Sequence, residues 1–220
     1  MDSKYVNKYI RSIIKPFLLE NEFVKVTDRK YLKISEFYYF GIEMTSVGCY
    51  FSEVSGWPSQ SIFSHGGIIC RLIKSEFTDY FDDSIPINLR KNSAFFPVAH
   101  GLHHGIVENL CGLDQTELTV DLDNPANRIR KDLWWIDDST DVEVVVNDIK
   151  KSILRYSLPY FGKFKRGDDF IEEVEKQRDC YVKFRNAYYL CQALGEEDKT
   201  KEYYEKYKAE AVRIGKDMLL

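Results

Sequence analysis

The sequence contains no apolar run of the roughly 18–20 residues that a membrane-spanning helix needs. Its first residues, MDSKYVNKYIRS, also lack the continuous apolar segment of a signal peptide. The five cysteines are widely spaced and form no CxxC pair, a pattern typical of free, mostly buried thiols in a reducing compartment. These absences predict a cytoplasmic protein that does not insert into a membrane.

The motifs of several large enzyme classes are missing as well. The chain has no GxSxG nucleophile motif, and neither of the phosphate-binding patterns GxxxxGK[ST] and GxGxxG occurs. Its cysteines and histidines give no spacing that assembles a nucleophile with its base. We therefore favour a non-enzymatic function and keep an enzyme as the alternative.

The charge balance argues against nucleic acid as a partner. The formal net charge is −4 and the isoelectric point is near 5.7, whereas phosphate binding relies on a basic surface. One stretch, residues 150–166, does interleave basic and aromatic residues, but cations at a helix end explain it more simply. Aromatic residues reach 15% of the chain, with 15 tyrosines and 14 phenylalanines. Tyrosine is a favoured contact residue in protein interfaces, so we expect a protein partner.

The spacing of apolar residues predicts helix and then strands in the first part of the chain. Apolar residues recur at helical spacing in KYVNKYIRSIIKPFLLE, which predicts an amphipathic helix with a kink or a break at Pro16. Two alternating runs around Asp28 and Arg29 predict a β-hairpin. Aromatic and β-branched residues at 37–54 predict one or two further strands, and Gly, Pro and Ser predict a loop at residues 55–67.

The pattern is clear again toward the end of the chain. The stretch RIRKDLWWI predicts a strand, and residues 140–143 fit a capping box at the start of a helix that ends before Pro159. After a charged linker, one long helix ending at Gly195 and a second helix predict an antiparallel hairpin.

Together these patterns predict an α+β fold with an antiparallel sheet and flanking helices, followed by a C-terminal helical hairpin. We expect the α+β domain to comprise residues 1–165 and the hairpin to comprise residues 166–220, packed on that domain or extending it. The tyrosine-rich face between the two hairpin helices could also support a homodimer.

Several features resemble a bacterial family known as domain of unknown function 4304, over about residues 8–165. They are an opening helix with IIKPFLLENEF, a strand that places Arg128 and Arg130 before two tryptophans, an acidic helix cap and a helix closing on LPYF. The resemblance implies a small bacterial α+β protein, in a class where some members resemble immunity proteins of toxin systems. The family has no established catalytic residues to transfer to this chain.

Three of the four histidines, His100, His103 and His104, lie within the short stretch HGLHH. In a helix, His100 and His104 would lie one turn apart on one face, a spacing that can bind a transition metal, with His65 as a third ligand. Two glycines in the segment weaken such a helix, and no carboxylate completes an HExxH motif. A loop or short helix with ordinary histidines and no cofactor is therefore preferred, and a metal-dependent enzyme built on this cluster is the alternative hypothesis.

The candidate partner-binding residues are Trp134, Trp135 and Tyr204. Adjacent side chains on a strand point to opposite faces, so one tryptophan can enter the core while the other anchors a partner. Packing of both indoles by covering helices is the simpler alternative. The favoured hypothesis is a protein-binding module of the immunity or adaptor type.

Overall fold

The computed structural model describes residues 2–72, 133–176 and 179–218. In these residues five strands form one antiparallel sheet, in which each strand lies beside its neighbours in chain order. Helices come before, between and after the strands along the chain, and the last two described helices form a pair. The predicted α+β fold is therefore confirmed. The strands are β1 (Val24–Thr27), β2 (Lys30–Ile34), β3 (Tyr38–Ser46), β4 (Ile62–Cys70) and β5 (Leu133–Trp134).

The described residues also form eight α-helical segments and three short segments of other helical types. The α-helical segments are α1 (Ser3–Tyr9), α2 (Lys15–Glu20), α3 (Gly48–Ser55), α4 (Val142–Ser152), α5 (Leu158–Phe161), α6 (Ile171–Glu175), α7 (Tyr181–Leu194) and α8 (Glu197–Ile214). The others are the π-helical turns Ile10–Ile14 and Ile153–Ser157 and the 3-10 turn Gly167–Phe170.

Two prolines follow the π-helical turns, and both lie at the start of a new α-helical segment. In each turn the residue before the proline donates its N–H five positions back, Lys15 to the Ile10 carbonyl and Leu158 to the Ile153 carbonyl, and this wider turn accommodates a proline without a backbone N–H. The change expected at Pro16 is therefore a π-helical turn rather than a break. The prediction that the later helix ends before Pro159 is wrong. Its π-helical turn, Ile153–Ser157, lets the helix continue past the proline to Phe161.

One face of the sheet forms the main core together with the helices. Alternating side chains of β3 point into this core, and residues of α4 and of the first helical stretch pack against them. The apolar stripe of the opening stretch is buried as its spacing predicted. Burial of each such side chain stabilises the fold by about 1.5–3 kcal/mol. The core side chains include Ile10, Ile14, Phe40, Ile42, Met44, Val146 and Ile149, together with Leu190 and Cys191 of the hairpin.

The region between β3 and β4 differs from its predicted structure. β3 ends at Ser46, and α3 replaces the expected second strand. The expected loop at residues 55–67 is also shorter, because β4 begins at Ile62. Two small residues of this strand lie opposite large ones across the sheet: Ser64 pairs with Met44 and Gly66 with Ile42.

The C-terminal hairpin is present, but its first part is not one continuous helix. α6 ends at Glu175 and α7 begins at Tyr181, after Cys180 adopts an extended backbone with φ −164°. Gly195 ends α7 with φ 74°, the left-handed cap that its position predicted. In the hairpin interface the rings of Tyr181 and Tyr207 have centroids 5.1 Å apart.

Candidate functional site

The proposed histidine cluster cannot be compared with the structure, because His100, His103 and His104 lie outside the described residues. His65 is on β4, where its backbone pairs in register with Glu43 of β3. Among the residues that the structure describes, no three His, Cys, Asp or Glu side chains are grouped so that they could hold a metal ion. The metal hypothesis therefore stays a prediction.

Trp134 and Trp135 are both half-buried, and each indole is held by a carboxylate. The Trp134 Nε1 donates to Asp148 Oδ2 of α4 at 2.9 Å, and its ring packs against the main core. The Trp135 Nε1 donates to Asp137 Oδ2, also at 2.9 Å. The next residue in the chain, Ile136, is fully buried in the main core. The two tryptophans thus secure the turn into α4 and leave only part of each ring for a partner.

Asp137 organises the turn after the tryptophans. Its carboxylate accepts hydrogen bonds from the Ser139 hydroxyl at 2.7 Å, the Ser139 backbone N–H at 2.9 Å and the Thr140 hydroxyl at 3.0 Å. These bonds and the Trp135 indole hold the pKa of Asp137 far below its ordinary value. Because the Thr140 hydroxyl is bonded to Asp137, it does not cap the helix. The N-cap is instead Asp141, one residue later than predicted.

Tyr204, the third predicted binding residue, is half-buried on α8. Its ring packs against Tyr188 of α7, with centroids 5.6 Å apart. Tyr188 also stacks on Tyr207, at 6.2 Å, so the tyrosine-rich face is largely occupied by contacts within the hairpin. Such aromatic pairs contribute roughly 0.5–1.5 kcal/mol beyond their buried area. The contacts of Tyr204 are therefore those of a stabilising residue.

The most exposed group of large apolar side chains lies on α3, which sequence periodicity did not identify. Tyr50, Phe51 and Val54 are exposed by 74%, 61% and 67%, and α3 has no buried residue. The rings of Tyr50 and Phe51 meet edge to face, with centroids 5.7 Å apart. We call these three residues the α3 patch. Their spacing of one and four residues places them along one side of the helix.

The ends of α3 are held by backbone hydrogen bonds rather than by packing of the helix. Before it, the Val47 N–H donates to the Ser61 carbonyl and the Gly48 N–H to the Ser59 carbonyl, each at 2.9 Å. After it, Gly56 adopts φ 75° and closes the last turn with a bond to Ser52 at 2.9 Å. The helix could have been identified from Gly48 and Gly56, since these two glycines bracket apolar residues at helical spacing.

Comparison with known proteins adds no relative, since no family model, no curated protein and no solved structure matches the chain. The resemblance to the bacterial family therefore stays an expectation. Each helix in residues 2–72, 133–176 and 179–218 is too short or too polar to cross a membrane.

Proposed function

We propose that this chain is a cytoplasmic bacterial protein-binding module of the immunity or adaptor type, without catalytic activity, and that it binds its partner through the α3 patch. The observation that carries the proposal is the exposure of Tyr50, Phe51 and Val54, each above 60%, on a helix that buries nothing. Three side chains of this size expose roughly 400 Å² of largely apolar surface. The largest apolar patch on a soluble monomer is typically of this extent and is often a functional surface.

The charge of α3 favours a protein partner with an apolar groove. The only charged residue of the helix is Glu53, so the helix offers no cation to a phosphate group or to an anionic lipid. A helix that presents apolar residues along one side is the form recognised by a hydrophobic groove. The partner would therefore supply a concave, uncharged surface.

Burial of the patch can contribute a substantial part of the free energy of binding. Full burial of an aromatic or branched side chain contributes about 1.5–3 kcal/mol. Three such side chains could supply several kcal/mol against the entropy lost on association. Because α3 is already folded and hydrogen-bonded at both ends, little further ordering of its backbone is required.

The test is to place a photo-crosslinking amino acid at Tyr50 in the native host, identify the protein captured, and titrate that protein in purified form. Val54→Ser should weaken binding to the purified partner by about tenfold, the equivalent of roughly 1.4 kcal/mol. The matched control is Val212→Ser, since Val212 is 77% exposed on α8, away from the α3 patch. It should leave binding within about twofold of the original protein.

Two outcomes would contradict the proposal. One is equal binding by Val54→Ser and Val212→Ser, which would remove the α3 patch from the interface. The other is capture of a second copy of the same chain alone, with a concentration-dependent dimer by light scattering, which would assign the patch to self-association instead.

A further inference from the structure

Arg29, in the turn between β1 and β2, is held by two residues distant in sequence. Its Nε donates to Asn7 Oδ1 of α1 at 2.7 Å, and its Nη1 donates to the Ser46 hydroxyl at the end of β3. The side chain is half-buried. Three separate elements therefore fix the position and orientation of this guanidinium.

The neighbouring carboxylate does not pair with Arg29. Asp28 forms ion pairs with Lys25 at 2.5 Å and with Arg11 at 3.1 Å. In the described part of the chain, the hydrogen-bond acceptors of the Arg29 guanidinium are the neutral oxygens of Asn7 and Ser46. Burial lowers the pKa of Arg29 and the charge of Asp28 opposes this effect, but a guanidinium stays protonated in proteins.

A half-buried cation with only neutral partners is incompletely compensated. Buried charges are normally paired, because removal of water from an unpaired charge costs free energy. The two bonds use two of the five N–H donors of a guanidinium, which leaves donors on Nη1 and Nη2. The next residue, Lys30, pairs with Glu43 at 2.6 Å, so this carboxylate is already engaged by another cation.

The groups that hold Arg29 supply further donors at the same place. Asn7 accepts the bond from Arg29 through Oδ1, which leaves its Nδ2 as a donor, and the Ser46 hydroxyl that accepts from Nη1 retains its own proton. A planar guanidinium beside amide and hydroxyl donors matches the oxygens of a carboxylate or a phosphate.

We propose that Arg29, Asn7 and Ser46 form a binding site for an oxyanion, a carboxylate or a phosphate group. This site differs chemically from the α3 patch. It would bind a negatively charged group through the Arg29 cation, whereas the patch would bind an apolar surface. The alternative is that Arg29 only ties the β1–β2 turn to α1 and β3. The two roles differ in one respect: only a binding site should show saturable anion binding.

The experiment follows the Nε–H resonance of Arg29 by NMR in protein labelled with ¹⁵N-arginine, assigned by its loss in Arg29→Lys. Sodium acetate and sodium phosphate are titrated separately, with sodium chloride at matched ionic strength as the reference. We expect the Arg29 resonance to follow a saturation curve with at least one of the two anions. Arg213 is the internal control, since its Nε and Nη2 already donate to the Glu210 carboxylate at 2.7 and 2.5 Å.

Two variants test whether the holding residues belong to the site. Ser46→Ala and Asn7→Ala keep the guanidinium but remove one neighbouring donor each, and each should weaken anion binding at least threefold. The tighter of the two anions identifies the ligand class: acetate stands for a carboxylate and phosphate for a phosphorylated ligand. The circular dichroism spectrum of each variant checks that it is folded.

The proposal is overturned if the Arg29 resonance moves linearly with both anions, or if it moves no more than that of Arg213. Unchanged affinity in both Ser46→Ala and Asn7→Ala would also overturn it. Because the titration uses no protein partner, its failure leaves the proposed role of the α3 patch intact, and failure of that role leaves the anion titration valid.

Discussion

The hydroxyl of Tyr38 on β3 donates a hydrogen bond to the backbone carbonyl of Arg166 at 2.6 Å, although 128 positions separate the two residues. The ring lies among Phe40, Phe164 and Phe170 with no exposed surface. This contact attaches the charged linker before the C-terminal helices to the central strand of the sheet. Burial raises the pKa of Tyr38, so the hydroxyl remains protonated and can donate at any ordinary pH.

Replacement of Tyr38 by phenylalanine should lower the free energy of unfolding by about 1–2 kcal/mol, because the part-buried Arg166 carbonyl and the buried Gly167 carbonyl lose their donor. The measurement is urea denaturation. The matched control is Tyr5→Phe, since Tyr5 is 46% exposed and its hydroxyl meets only that of Tyr9, at 3.3 Å. An equal loss in both variants would show that the Tyr38 hydroxyl has no special role.

Asp137 should make the stability depend on pH in the acid range. Its pKa in the folded protein is lowered by the hydrogen bonds from Ser139, Trp135 and Thr140, so the folded state favours the ionised form. The stabilisation is therefore complete above the ordinary carboxyl pKa of 3.8 and declines as the pH falls below that value. Urea denaturation of the original protein and of Asp137→Asn should differ clearly at pH 6, and the difference should shrink toward pH 2.5. A difference that is constant over this range would contradict the assignment.

Gly167→Ala should destabilise the protein through crowding rather than through backbone strain. A Cβ atom at this position would lie 2.7 Å from Leu72 Cδ1 and 3.4 Å from Leu194 Cδ2. Overpacking of this kind costs about 1–3 kcal/mol. The cost should fall when Leu72→Ala is introduced as well, which a double-mutant cycle of unfolding free energies measures. Equal costs in the two backgrounds would exclude Leu72 as the cause.

Serine in place of Phe51 should change the free energy of unfolding by less than about 0.5 kcal/mol, because its ring is exposed and its ring contact is with Tyr50, which is exposed as well. Leu190→Ala, by contrast, should cost about 2–5 kcal/mol, since Leu190 is fully buried in the main core. Thermal or urea denaturation measures both. A large loss of stability in Phe51→Ser would mean that the α3 patch serves the fold and would weaken its assignment to partner binding.

Local patterns were sufficient to predict elements whose apolar residues repeat regularly. The hairpin around Asp28 and Arg29 is present as β1 and β2, and Val24 pairs with Leu32 across it. The first part of β4, residues 62–67, was predicted as loop for the opposite reason, since Ser64 and Gly66 are typical of loops. Their place in a strand depends on the larger side chains that lie opposite them in β3.

The candidate sites were harder to predict from the sequence than the fold. Aromatic residues such as Trp135 and Tyr204 attract attention as binding anchors, but the structure shows them half-buried and engaged with Asp137 and Tyr188. Phe51 carries no comparable signal, because its exposure depends on what the rest of the chain leaves uncovered.

The sequence by itself determined the opening helix, the first hairpin and the final helical pair, because their hydrophobic periods and end signals act over a few neighbouring residues. The tertiary structure alone decided which aromatic side chains reach solvent and, within the described ranges, that the Arg29 guanidinium is held by neutral acceptors. Arg29 illustrates the reason: its hydrogen-bond acceptors lie 22 and 17 positions away in the chain. Burial and charge compensation depend on such distant contacts, and they exist only once the sheet and helices have packed together.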